Sequence, residues 1–220
     1  MPPIQPEPSP WRFVMREWPA GTDCIAEGAD LAPGTILTAY RIGLFPMPHD
    51  DSIFWWSPEQ RGVLQLDHFK ESRSLRKARK RFTVTVDQSF ADVIDACADP
   101  SREGAWIDGP MRAAYIRLHE MGWAHSVETR NASGELVGGL YGLALGGLFC
   151  GESMFHRETD ASKVALAALV DLLDDGADRL IDVQWQTPHL ASLGIEEWPR
   201  EHYRDALEAL LASPLPEIWQ

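Results

Sequence analysis

Three residues in the second half of the chain have side chains that could act on a substrate. Asp182 and Gln184 stand two apart in Leu180-Ile181-Asp182-Val183-Gln184-Trp185, an otherwise apolar run. Strand side chains alternate with period two, which places Leu180, Asp182 and Gln184 on one face. A buried carboxylate beside an amide is costly without partners, so this is either an edge strand with one wet face or a reactive pair. Glu152 is the third, in Gly151-Glu152-Ser153-Met154-Phe155, at the exit of a glycine-rich apolar strand. A glutamate is favourable at a helix N-terminus. Glu152, however, lies well upstream of the cap expected at Thr159 or Asp160, which favours a site role. Trp55, Trp56, Trp106, Phe149 and Phe155 could wall an apolar pocket, although scattered aromatic residues are core by default.

Other chemistries leave no trace. No G-x-S-x-G turn, Walker loop or dinucleotide fingerprint follows an expected strand. The seven histidines offer no i, i+4 ligand pair with a carboxylate, so no metal and no cofactor are expected. Cys24, Cys97 and Cys150 are odd in number and widely spaced, without a disulfide or zinc pattern, which suits a reducing compartment. Residues 1–10 lack the charged start and apolar run of a secretory signal, and no apolar stretch could span a bilayer. A cytoplasmic protein without a membrane partner is the expectation.

A formal charge of −13 argues against general affinity for nucleic acid. The cations are nevertheless clustered: Lys70, Arg73, Arg76, Lys77, Arg79, Lys80 and Arg81 fall in one short segment. This is either a solvated helix face or a single docking surface on a body that repels polyanions elsewhere.

A scaffold for these residues can be read from periodicity. Residues 1–19 are proline-rich and read as a frayed arm. A short helix over 31–40 follows, with Asp30 as cap. Phe45-Pro46-Met47-Pro48-His49-Asp50-Asp51 is expected to be irregular because two prolines break a ladder. Ile53 to Trp56 makes an aromatic strand. A boundary near Glu59 separates a small N-terminal domain, 1–58, from a main domain, 59–220. Helices are expected over 73–80, 90–98, 109–121, 159–175 and 202–211. Strands are expected over 82–86, 125–129, 136–145, 148–151 and 180–185. Helices around a meandering sheet give an α+β class.

Taken in order, the motifs resemble one family. Phe45-Pro46, Phe54-Trp55-Trp56-Ser57-Pro58 and Ser72-Arg73-Ser74 come first. Glu103-Gly104-Ala105-Trp106-Ile107, Tyr115, Leu118-His119 and Ala124-His125-Ser126-Val127-Glu128 follow. Then come Leu136-Val137-Gly138-Gly139-Leu140-Tyr141-Gly142, Phe149 through Phe155, Ala161-Ser162-Lys163, Leu180 through Gln184, and His189-Leu190-Ala191-Ser192-Leu193-Gly194. From about Gly28 to about Tyr203 the chain is similar to the leucyl/phenylalanyl-tRNA–protein transferases.

The resemblance implies a small N-terminal domain and an acetyltransferase-like (GNAT) C-terminal domain with a mixed meandering sheet. It implies transfer of Leu or Phe from aminoacyl-tRNA to proteins beginning with Arg or Lys, marking them for degradation through the N-degron route. Asp182 and Gln184 match the catalytic pair, and Glu152 a substrate-contacting carboxylate. Trp106, Leu140 and Phe149 match walls of the pocket for the aminoacyl side chain and terminal adenosine, with Trp56, Met47 and Ser153 as further substrate contacts. The partners implied are the 3′ end and acceptor stem of tRNA, with Arg73, Arg76, Lys77, Arg79, Lys80 and Arg81 as the tRNA-binding set, and a monomer is expected. Met47 stands where an aromatic residue is expected, which leaves donor preference among Leu, Phe and Met open.

Ionised Asp182 would orient Gln184, whose amide oxygen accepts a hydrogen bond from the attacking amine, while Glu152 would hold a cation. Two alternatives carry distinct signatures. An acyl-CoA N-acetyltransferase needs a Gln/Arg-x-x-Gly-x-Gly/Ala pyrophosphate loop, which the stretch from Gly151 to Ser162 lacks. A non-catalytic tRNA- or peptide-binding module would not need Asp182, Gln184 and Glu152 together.

Overall fold

Two sheets organise the chain, which a computed structural model describes over residues 2–13, 18, 20–102 and 104–220. The smaller is antiparallel in the order β1-β3-β2, from β1 (Cys24–Glu27), β2 (Phe45–His49) and β3 (Ser52–Trp56). Helix α1 (Pro33–Tyr40) starts with Pro33 at its first turn, where the missing N–H has no helical partner to lose. The segment expected to be irregular is thus a strand. β2 lies at the sheet edge, and Pro46 and Pro48 are two apart. Their nitrogens therefore point to the same side, away from β3, so the ladder loses no donor.

The larger sheet has seven strands in the order β10-β4-β9-β8-β7-β6-β5. They are β4 (Gln60–Gln65), β5 (Thr83–Val86), β6 (Ala124–Arg130), β7 (Leu136–Leu145), β8 (Leu148–His156), β9 (Leu180–Gln184) and β10 (Glu196–Pro199). β5 to β8 form an antiparallel meander. Helix α5 (Ala161–Leu173) then crosses over so that β9 runs parallel to β8, and β4 and β10 close the far edge antiparallel. This is the expected α+β class, with a mixed, meandering larger sheet. β8 runs five residues past the expected end, so Glu152 sits inside a strand rather than after one. β1, β4 and β10 fall in stretches that the periodicity leaves without an element.

Alternation along β7 divides two cores. Tyr141, Leu143 and Leu145 face a core shared with α1, α3 (Phe90–Cys97), α4 (Gly109–Glu120) and α7 (Arg200–Ala212). Leu140 and Ala144 face one built on α5 and α2 (Arg73–Arg79). The first core also takes Trp55 and Phe45 from the small sheet, so both sheets are packed into it. The described part of the N-terminal arm is not frayed. The Ile4 N–H donates to the Met121 carbonyl at 2.8 Å, and the Trp123 indole donates to the Ile4 carbonyl at 2.8 Å. Ser9 and Thr35 share a hydroxyl hydrogen bond, and Phe13 packs edge-on against Trp55. Prolines keep this arm extended, and the residues between them supply the donors.

Candidate active site

β8 and β9 pair only from Leu148–Leu180 to Cys150–Asp182, then part. Each strand carries one extra residue where they diverge. In β8, Gly142 opposes Gly151 and Tyr141 opposes Ser153, so Glu152 is the bulged residue. In β9, Gly62 opposes Gln184 and Val63 opposes Asp182, so Val183 is the extra one. Bulges re-aim side chains and end pairing, and here two flank one opening. Between the strands lies a cavity of about 620 Å³ with an apolar floor of Leu140, Phe149, Leu166, Leu169 and Ile181. Glu152, Ser153 and Gln184 line its sides, and His156, Thr187 and His189 its rim.

Glu152 is bound from two helices. The Tyr40 hydroxyl, at the end of α1, donates to Oε1 at 2.7 Å, and the Tyr115 hydroxyl, from α4, donates to Oε2 at 2.9 Å. The two phenols are 2.7 Å apart. Burial pushes the Glu152 carboxyl up to about 7 despite these donors, with Asp182 adding to the rise. It therefore changes charge near neutrality, and a cation beside it would hold it ionised. Burial raises the thiols of Cys150 and Cys97, the latter to about 11, which excludes a resting thiolate nucleophile at either position.

Asp182 is fully buried and committed elsewhere. Its Oδ1 accepts from Arg61 Nε at 2.8 Å and from the Gln184 main-chain N–H at 2.9 Å. Its Oδ2 accepts from Arg61 Nη2 at 2.6 Å and from the Tyr203 hydroxyl at 2.8 Å. A carboxylate offers about four lone-pair positions, and all are filled. Arg61 is itself buried, donates to the Gly43 carbonyl, and lies over the rings of Phe45, at 4.8 Å, and Tyr203, at 4.5 Å. The Trp185 N–H returns to the Val183 carbonyl at 2.8 Å, closing a γ-turn centred on Gln184 at φ +62°. That conformation is rare and strained for a residue with a side chain. The turn breaks the expected alternation: Ile181, Val183 and Gln184 line the cavity, whereas Asp182 does not.

The family described as leucyl/phenylalanyl-tRNA protein transferase matches residues 63–208, and its N-terminal domain matches residues 29–59. The chain belongs to this family. The leucyl/phenylalanyl-tRNA–protein transferase of Tolumonas auensis is 48% identical over 203 residues, covering 89% of this chain and 86% of the relative. That of Aromatoleum aromaticum is 52% identical over 184 residues, covering 81% and 77%. Among solved structures, L-PGS from Bacillus licheniformis is 13% identical with a TM-score of 0.38, covering 71% of this chain and 54% of that one. A tandem GNAT protein from the clavulanic acid biosynthesis pathway is 15% identical with a TM-score of 0.40, covering 78% and 57%. The chain thus spans little more than half the length of these two solved structures.

The fold of this transferase brings together Leu140, Phe149, Glu152, Ser153 and Gln184 around one cavity. It does not bring Trp106 or Met47 to that lining. Trp106 packs against the core that holds Tyr115, and Met47 sits in β2 opposite Phe54. Trp56 meets Trp185 edge-on at 6.0 Å, and its buried indole N–H has no partner among the described residues. Glu103 lies outside the described residues. On the basic helix, Arg76 and Arg79 pair with Glu71 at 3.0 Å each, Arg79 also pairs with Asp171, and Arg81 is 4.0 Å from Asp160. Arg73, Lys77 and Lys80 are exposed and make no ion pair among the described residues. Sequence reasoning missed Arg61, Tyr40 and Tyr203. No local pattern marks them, because their partners are 121, 112 and 21 residues away.

Proposed function

We propose that this chain transfers Leu or Phe from aminoacyl-tRNA to the N-terminal α-amine of proteins that begin with Arg or Lys, in the cytosol, marking them for N-degron degradation. The observation that carries this reading is the cavity at the splayed strands, apolar at its floor, with Glu152 and Gln184 on its sides. An apolar donor side chain fits the floor formed by Leu140 and Phe149. Its α-ammonium, one carbon away, then falls near the walls, where Glu152 supplies a counter-charge.

The acceptor amine has an unperturbed pKa of about 7.7–8.0, so a useful fraction is neutral at cytosolic pH. Its nitrogen attacks the ester carbonyl carbon, an amide bond forms, and the ester C–O bond breaks. The amine proton reaches the departing ribose oxygen, which leaves as a hydroxyl. An amide cannot store that proton, so Gln184 acts by position: its Oε1 accepts a hydrogen bond from the amine and aligns the lone pair. Asp182 acts on Gln184 through the main chain. The acceptor stem docks on α2, and the division near residue 58 separates the small sheet from the transferase domain. A monomer suffices, because every proposed group comes from one chain.

The test is transfer of labelled Leu, Phe and Met from charged tRNA to an Arg-terminated peptide, with an N-acetylated peptide as control. Transfer of Leu and Phe only to the free amine is expected, and Gln184→Ala and Asp182→Ala should cut turnover by about 100-fold or more while leaving donor affinity nearly unchanged. Absence of transfer from any charged tRNA would overturn the reading.

A further inference from the structure

We infer that Arg61 and Tyr203, acting through Asp182, and Gly62, by the room it leaves beside β9, are positioning residues that hold the γ-turn aiming the Gln184 amide into the cavity. The inference rests on the transferase reading and deepens it.

The turn needs a restraint. Gln184 at φ +62° sits in a conformation that residues with side chains rarely adopt, and a relaxed β9 would return it to ordinary strand geometry. Regular alternation would then carry the side chain away from Val183 and Ile181 and out of the cavity. One contact opposes that relaxation, and one missing side chain leaves the turn its room. From one side, Asp182 Oδ1 holds the Gln184 main-chain N–H at 2.9 Å. From the other, β4 comes so close at Gly62 that a Cβ there would lie 2.8 Å from Gln186 N and 2.8 Å from Trp185 C. Gly62 therefore leaves the space into which the turn folds.

Asp182 can act as an anchor only if it is itself fixed. Arg61 grips both its oxygens, at 2.8 and 2.6 Å, and Tyr203 adds a donor at 2.8 Å from α7. Arg61 is in turn fixed by the Gly43 carbonyl at 3.1 Å and by the rings of Phe45 and Tyr203. None of Arg61, Gly62, Tyr203 or Asp182 lines the cavity. Their effect must therefore appear in the rate of the bound complex rather than in how tightly a donor binds.

Two variants and two measurements test this. Puromycin, an aminoacyl-adenosine analogue whose amide cannot transfer, reports occupancy of the cavity, and single-turnover transfer from charged tRNA reports the rate once bound. Gly62→Ala should lower that rate by roughly 10- to 100-fold, because a displacement near 1 Å is enough. Tyr203→Phe removes one hydroxyl without changing the packing, and should lower the rate by roughly five- to tenfold. In both, the dissociation constant for puromycin should stay within about twofold of wild type. An unchanged rate in Tyr203→Phe overturns the inference, as does a loss in both variants that tracks weaker puromycin binding. A wild-type protein that binds puromycin but transfers nothing would instead count against the transferase reading.

Discussion

Glu152 ionises close to neutrality, at about 7 against an ordinary 4.5, chiefly because burial penalises its charge. Below about pH 4.5 the group is protonated in both folded and unfolded chains, so it costs nothing. As pH rises towards 7 and beyond, the unfolded chain ionises it freely while the folded one resists, and stability falls. Glu152→Gln should therefore melt higher than wild type at pH 8, with the difference closing at about pH 5. Paired thermal melts at the two pH values check this. The same variant should raise the Michaelis constant for aminoacyl-tRNA at pH 8, when Glu152 would otherwise be anionic. Asp182, Gln184 and Glu152 were legible in the sequence because polar groups interrupt apolar strands there. How each one is held was not. The bulges and the γ-turn depend on how neighbouring strands meet, and period-two reasoning over one strand placed Gln184 beside Asp182 rather than across from it.

At the scale of elements, the long periodic ones were legible: α4 and α7 lie where the helical spacing put them, and β7 spans the expected residues. β4 was not, because Gln60-Arg61-Gly62-Val63-Leu64-Gln65 alternates neither cleanly nor for long. Yet β4 supplies both Arg61 and Gly62. The basic helix α2 was legible as a helix, and Ser72 caps it by accepting from the Leu75 N–H. The ion pairs divide its cations into two groups that charge alone cannot separate. Replacing exposed Arg73, Lys77 and Lys80 by Gln should weaken tRNA binding and reduce its salt slope by about 0.7–0.9 for each phosphate no longer neutralised. Arg79→Gln should alter the slope little, because that guanidinium is already engaged by Glu71 and Asp171. Binding measured across a salt series distinguishes these outcomes, and puromycin binding should respond to neither change.

Across the whole molecule, the arm, the small sheet and the main sheet share the first core, which composition could not reveal. The arm was expected to fray, yet its backbone is tied to Met121 and its carbonyl takes the Trp123 indole. Removing residues 2–10 should cost about 1–3 kcal/mol, the usual range for stripping partners from buried polar groups. For a domain of this size that is a fall in melting temperature of about 2–4 °C per kcal/mol, which calorimetry can read. Transfer activity at 25 °C should survive, because none of residues 2–10 lines the cavity. The edge strand β2 carries a different kind of consequence. An open strand edge is a template on which another chain can pair, and that is how many sheet proteins begin to aggregate. Pro46 and Pro48 remove alternate donors from the outer rim of β2, so an incoming strand finds acceptors without the N–H groups that would lock its register. The two prolines thus act as gatekeepers for the small sheet. Replacing them by residues with an N–H would open that rim to self-association during synthesis, before the sheet has settled against the core.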